Sequence, residues 1–233
     1  MKNLDGIKNI FFDLGGVLID IDFSKTFDAF AELGIPDAHK INDRPELLQL
    51  FMDLECGVFL PDEFLRRFRI LIDTWKPIRS PNHHGIDHQQ PPIHESAGSS
   101  ESAAIISAFC ALLRDYKPGH IELVQSLRSQ YRVFLLSNTN ALHAEYFNGK
   151  LKAEYGIENF DNLMDKAFYS HDLGYRKPDL RIFQKAIQLA GVHPEETLFI
   201  DDLQKNVDAA IKCGLKGVKV DDDYTILDIF GNS

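Results

Sequence analysis

The stretch Ile7-Lys8-Asn9-Ile10-Phe11-Phe12-Asp13-Leu14-Gly15-Gly16 decides the fold. Its apolar run is too short for a helix and rich in β-branched and aromatic residues. It stops at a glycine pair, so it reads as a buried strand entering a tight turn. Four later runs take the same form: Tyr131 to Ser137, Ala167 to Ser170, Thr197 to Asp201 and, more weakly, Gly217 to Val220. Helix-length amphipathic stretches separate them, at His120 to Ser129, Ala141 to Tyr155, Asp179 to Ala190 and Gln204 to Cys213, the last two closed by Gly191 and Gly214. Strand alternating with helix predicts an α/β fold built on a doubly wound, Rossmann-like parallel sheet.

Between the first two strands the alternation breaks. Phe23 to Leu33, Arg44 to Leu54, Asp62 to Ile72 and Ala103 to Asp115 all carry helical spacing, with Ser24 expected as an N-cap and Gly34 and Gly57 as stops. The expected organisation is a core of residues 1–20 and 116–233 interrupted by a helical insertion over 21–115. Within the insertion, residues 76–102 hold four of the ten prolines and four of the nine histidines and read as a polar loop. His83, His84, His88 and His94 have no cysteine among them and no regular element to fix a tetrahedron, so a solvated loop is expected rather than a zinc site. Asp221-Asp222-Asp223 is expected to be a solvated acidic turn.

The chain has 233 residues, 44% of them hydrophobic, enough for one large core or a core plus a smaller second one. A net charge of −10 is the wrong sign for tracking a phosphate backbone, so nucleic acid is not an expected partner. Cys56, Cys110 and Cys213 are odd in number, widely spaced and set among apolar residues, which suits reduced packing thiols in a cytoplasmic protein. Asp13 and Asp20 interrupt the first apolar run, so neither a signal peptide nor a membrane span is expected.

Three strands end in polar groups. The first delivers Asp13, the second Ser137 and Asn138, the fourth Asp201 and Asp202. If the strands are parallel, these side chains emerge at the one sheet edge where open α/β folds bind ligands. An aspartate after a single strand commonly caps the following helix, but three such endings with a nearby lysine indicate a site.

In this order, Asp13-Leu14-Gly15-Gly16-Val17, Leu136-Ser137-Asn138-Thr139-Asn140, Arg176-Lys177-Pro178-Asp179 and Phe199-Ile200-Asp201-Asp202 resemble the four motifs of the haloacid dehalogenase superfamily. The helical insertion resembles the cap of its first subfamily, and the phrases around the motifs resemble a subgroup of bacterial sugar-phosphate phosphatases. The resemblance implies a Mg²⁺-dependent hydrolase acting on small phosphorylated metabolites, as a monomer or homodimer. It makes Asp13 the nucleophile that forms an aspartyl phosphate. It places Mg²⁺ on Asp13, the Gly15 carbonyl, Asp201 and Asp202, oxygen donors that suit a hard cation. Lys177, Ser137 and the backbone N–H groups of Gly16 and Asn138 are implied to hold the phosphoryl oxygens.

One position departs from the pattern. Where phosphatases of the superfamily carry a second aspartate, two residues after the nucleophile, this sequence has Gly15. A missing general acid typically costs on the order of 10²- to 10⁴-fold in rate. A substrate whose leaving group needs little protonation, such as the anomeric oxygen of a sugar 1-phosphate, fits that loss; Asp20 and Asp22 are the nearest candidates for a surrogate acid, but are expected rather to organise the hinge or cap the helix after Ser24. The alternatives are a haloacid-dehalogenase-type reaction without metal and a catalytically impaired scaffold that keeps phosphate or metal binding.

Overall fold

The computed structural model describes residues 4–35, 37–75 and 100–231. The polar stretch 76–99, with His83, His84, His88 and His94, lies outside the described residues.

Strand β1 (Asn9–Phe12) is the centre of a five-stranded parallel sheet. It pairs on one side with β4 (Arg132–Ser137), which pairs with β5 (Lys166–Tyr169), and on the other with β6 (Thr197–Asp201), which pairs with β7 (Lys216–Lys219). The chain thus builds outward on one flank of β1, returns, and builds outward on the other. The switch point falls at β1, where such sheets open a crevice beyond their carboxyl ends.

Alternation along β1 explains why it is apolar throughout. Ile10 and Phe12 join Val133, Leu135, Leu198 and Ile200 in one buried layer, while Phe11 joins Phe134, Leu136, Phe168 and Phe199 in the other. Both faces are covered by helices, as an all-parallel sheet requires. These are α5 (His120–Leu127), α6 (Ala141–Tyr155), α9 (Leu180–Ala190) and α10 (Gln204–Lys212), with short turns at α7 (Phe160–Leu163), α8 (Ser170–Leu173) and α11 (Ile226–Phe230).

Four further helices, α1 (Phe23–Glu32), α2 (Pro45–Glu55), α3 (Pro61–Trp75) and α4 (Ser100–Cys110), lie between β1 and α5 in the chain and pack around their own apolar cluster. Its centre is aromatic: Phe64 stands 5.0 Å from Phe109 and 5.7 Å from Phe68, ring centre to ring centre. Leu142 of α6 joins this cluster from the sheet side.

Several local expectations need correction. The stretch from Ala103 to Asp115 is not one helix: α4 ends at Cys110, and Leu113–Tyr116 is a strand, β3, antiparallel to β2 (Ile19–Ile21). The helices α1 to α4 therefore leave and return through a two-stranded ribbon. Such a three- or four-residue strand carries too few positions to show a period, and partnership across about ninety residues made it a strand. Ser100 to Ser102, expected as loop, form the first turn of α4. The N-cap of α1 is Asp22, not Ser24; its carboxylate accepts from the Ser24 N–H at 2.9 Å and from the Ser24 hydroxyl.

Candidate active site

Asp13 follows β1 directly. Phe12 sits level with Leu135 and Ile200, so the next step brings Asp13 out beside the ends of β4 and β6. Its N–H donates to the Ile200 carbonyl at 2.9 Å, and its Oδ1 accepts from the Leu14 N–H at 2.7 Å. The carboxylate is thereby oriented by backbone rather than by a mobile partner.

Lys177 is the most unusual residue of the molecule. It is 1% exposed, yet its ammonium lies 2.7 Å from Asp13 Oδ1 and 2.8 Å from Asp201 Oδ2. Its backbone is clamped by Asn138, whose side chain accepts from the Lys177 N–H at 2.7 Å and donates to the Lys177 carbonyl at 2.9 Å. Asp201 in turn accepts from the Leu203 N–H and from Asn206 Nδ2, both at 2.9 Å. A buried cation between two buried anions is tolerable only with such geometry, because each alone carries a large desolvation penalty.

Burial raises Asp13 well above the ordinary carboxylate range, with Lys177 pulling it down and Asp201 pushing it up. Burial also acts to raise Asp201, but Lys177, the Leu203 N–H and Asn206 hold it below the usual value. Burial and then the charge of Asp201 raise Asp202. Lys177 stays firmly charged: burial lowers it, and the two aspartates outweigh that.

Asp13, Asp201 and Asp202 bring carboxylate oxygens within 4.8 Å of one another, the only such cluster of potential metal ligands among the described residues. One lysine does not neutralise three carboxylates, and the donor set is all oxygen, which is the chemistry a hard divalent cation takes. The residues present fit Mg²⁺. Asp13 carries its hydrogen bonds from Leu14 and Lys177 on Oδ1, and Asp201 has both oxygens hydrogen-bonded to protein groups.

The glycine pair divides the labour. Gly16 has φ +70°, and a Cβ there would fall 2.5 Å from Asp202 Oδ2, so only glycine lets this turn lie against the second carboxylate. Its N–H donates to the Ile19 carbonyl at 2.8 Å, so in this structure the amide is committed to the turn. At Gly15 a Cβ would point to Ile21 Cγ1, 3.0 Å away.

Ser137 and Asn138 at the end of β4 complete the rim. Together with Asp13, Gly15, Gly16 and Asp202 they line a cavity of about 1240 Å³ whose opposite wall comes from α1, α2 and the ribbon. Three residues there were not assigned by sequence reasoning. Glu55, the last residue of α2, accepts from Arg176 Nε at 2.8 Å, so a pair 121 positions apart spans the cavity. His143 stacks on Phe109 at 4.4 Å, receives a hydrogen bond from Asn140 and donates Nε2–H to the Phe109 carbonyl; burial lowers it to about 4. Asn206, which holds Asp201, was detectable only as a polar residue on an otherwise apolar face of α10, beside Val207 and Ala210. Asp20, by contrast, pairs at 3.2 Å with Lys117, and Asp22 caps α1. Asp221 to Asp223 are exposed, and Asp221 Oδ1 accepts from the N–H groups of Asp223 and Tyr224 as an acidic turn does. No cysteine is in a disulfide, and no described helix is long and apolar enough to cross a membrane.

A parallel sheet whose central strand leads into a lysine-bridged carboxylate, under a wall of helices, defines an α/β protein with a candidate site at the topological switch. The chain belongs to the haloacid dehalogenase-like hydrolases, whose family pattern it matches over residues 7–214. It is 29% identical over 212 residues to the D-ribitol-5-phosphate phosphatase of Bacteroides thetaiotaomicron, covering 90% of each chain. Its fold is similar to that of a family enzyme from the same organism, with 26% identity, a TM-score of 0.81 and coverage of 97% and 99%. That enzyme has also been solved with magnesium and inorganic phosphate, where the likeness is 25% identity, a TM-score of 0.75 and 96% and 99% coverage. A predicted family hydrolase from Porphyromonas gingivalis is 28% identical, with a TM-score of 0.77 and 97% coverage of both.

Proposed function

We propose that this hydrolase is a Mg²⁺-dependent phosphomonoesterase of small phosphorylated metabolites, working through Asp13. The observation that carries the reading is the buried Lys177 held between Asp201 and the cavity-lining Asp13, with Asp202 alongside. Positive charge fixed beside a nucleophilic carboxylate suits a dianionic phosphoryl group better than a neutral carbon centre.

In this reading a carboxylate oxygen of Asp13 forms a bond to phosphorus as the ester's P–O bond breaks. The alcohol leaves and takes up a proton, and water then cleaves the aspartyl phosphate to release inorganic phosphate and restore Asp13. Lys177 holds Asp13 in place and stabilises charge on the phosphoryl oxygens, while Ser137 and the Asn138 amide donate to them. Asn138 does double duty, since its side chain clamps the Lys177 backbone. Asp13, Asp202, the Gly15 carbonyl and, behind them, Asp201 would hold Mg²⁺, which supplies charge neutralisation when bound. Gly16 keeps the turn bare next to Asp202. Residues 1–20 and 116–233 act as the catalytic core and 21–115 as a cap that excludes water. The likeness to a D-ribitol-5-phosphate phosphatase puts sugar and polyol phosphates in the first screen.

The test is release of inorganic phosphate from acetyl phosphate and p-nitrophenyl phosphate with Mg²⁺ or with EDTA, for the native protein and Asp13→Asn. Metal-dependent turnover lost in the variant is the expected result. Halide release from a 2-haloacid without metal points instead to the dehalogenase reaction, and phosphate binding without turnover to a scaffold.

A further inference from the structure

The half of the cavity that faces the alcohol is built for a different group than the half that faces the phosphate. Phe23, Phe27, Leu48, Phe51 and Met52 form its wall on α1 and α2. Three of them are left open to solvent, Phe23 at 62%, Met52 at 37% and Leu48 at 36% exposure, although the same helices bury Phe30, Leu47, Leu50 and Leu54 in the cluster around Phe64. Phe27 and Phe51 also pack against that cluster, whereas Phe23, Leu48 and Met52 belong to no buried cluster and face the mouth of the cavity.

Toward the cap the polar side chains of Thr26, His143, Arg176 and Lys117 are, by contrast, engaged with protein partners; the buried acceptor left open, Asn206 Oδ1, belongs to the carboxylate end of the cavity. Thr26 donates to the Phe109 carbonyl at 3.3 Å and accepts from the Leu112 N–H at 3.1 Å. Both ring nitrogens of His143 are used. The lining lysine and arginine are each paired with carboxylates, Arg176 with Glu55 and Lys117 with Asp20 and Asp222. A site that reads a polyol leaves donors and acceptors waiting for it, and one that reads a second anion leaves a cation unpaired.

Proton supply points the same way. The four residues after Asp13 are Leu14, Gly15, Gly16 and Val17, none with an acidic side chain, and the Cβ direction at Gly15 is closed by Ile21. The first carboxylate beyond them, Asp20, is tied to Lys117. A leaving oxygen that departs without a donor must itself be weakly basic, as a phenolate is and an aliphatic alkoxide is not.

We infer that the cap wall takes an uncharged aryl group, and that the preferred substrate is an aryl phosphate monoester with no second anionic group. This rests on the phosphomonoesterase reading and narrows its substrate class, away from the polyol phosphate of the Bacteroides relative.

The experiment compares kcat/KM for four phosphorylated compounds with the full-length Mg²⁺-loaded protein: the acyl phosphate acetyl phosphate and the monoesters 1-naphthyl phosphate, D-ribitol 5-phosphate and 3-phosphoglycerate. 1-Naphthyl phosphate is expected to exceed the ribitol ester by about 100-fold or more, and the phosphoglycerate by more still, since each leaves polar or charged groups unmatched in the wall. Met52→Gln and Phe23→Asn, both at exposed positions that do not threaten folding, are expected to lower kcat/KM for the naphthyl ester about tenfold each and so narrow the ratio. Ribitol 5-phosphate or 3-phosphoglycerate turned over as well as the naphthyl ester overturns the inference and leaves the phosphatase reading standing. So does turnover of acetyl phosphate without turnover of the naphthyl ester, or an unchanged ratio in both variants. No turnover of any of the four overturns the phosphatase reading itself, and the inference with it.

Discussion

Replacing Lys177 with methionine keeps most of the unbranched side chain and removes its charge, and the structure gives the consequence a size. Asp13 and Asp201 share this one ammonium at 2.7 and 2.8 Å, and none of the three side chains is appreciably solvated. Breaking a buried ion pair by deleting one partner costs about 3–5 kcal/mol, because the remaining charge is stranded. Here two carboxylates are stranded together, with Asp202 next to them. In EDTA at pH 8, where no added cation substitutes for the lysine, Lys177→Met should lower the urea midpoint by about 1–2 M, taking a slope of roughly 2–3 kcal/mol per molar. The deficit should also depend on pH in a definite direction. In the native protein Lys177 keeps Asp201 below the ordinary carboxylate value. Without it both carboxyls titrate upward, so protonation relieves the stranded charge, and the gap from the native protein should narrow as pH falls from 8 towards 5. Adding Asp201→Asn to Lys177→Met should recover part of the loss at pH 8. Activity, which also needs the ammonium beside phosphate, should fall about 10³-fold. A variant within about 0.5 kcal/mol of the native protein in EDTA at pH 8, with no change in the gap at pH 5, would refute the idea that this lysine neutralises the carboxylate cluster.

Other perturbations follow from single contacts. Gly16→Ala places a Cβ 2.5 Å from Asp202 Oδ2 in a backbone with φ +70°, so Mg²⁺ affinity by titration calorimetry should weaken about tenfold or more; unchanged affinity would separate Asp202 from the metal. Gly57→Ala, just after α2, puts a Cβ 2.1 Å from the His171 carbonyl oxygen at φ +65°, and should destabilise by about 2 kcal/mol or more and raise KM by tilting the helices over the site, readable from urea curves and steady-state kinetics. His143 is held near 4 in the fold against an ordinary 6.5, so its contribution is fully present above pH 6.5 and is lost as pH falls through 4; thermal melts should lose on the order of 3 kcal/mol across that window, and His143→Gln should flatten the slope.

The parallel sheet was readable before any coordinates because a strand buried on both faces must be apolar at every position, as Ile10, Phe11 and Phe12 are, and must stop where polarity returns, at Asp13. The same reasoning located Ser137, Asp201 and Asp202, since residues that follow parallel strands share one edge whatever lies between them in the chain. Helix ends marked by a glycine, as at Gly191, are set by backbone conformation within a few residues and were equally legible.

What the tertiary structure alone decided depends on contacts made across long separations. Ile19–Ile21 and Leu113–Tyr116 are strands only because each finds the other, although the second continues the helical spacing of the residues before it. Lys177 looks in the sequence like any lysine ahead of a helix; its burial between two carboxylates comes from the meeting of β1, β6 and the loop that carries it. Glu55 meets Arg176, and Gly16 meets Asp202, only after the chain has closed on itself. Local sequence determines periodicity and turns, because those energies act over a few residues. Charge pairing and steric exclusion are set by distance in space, and the folded chain alone supplies that distance.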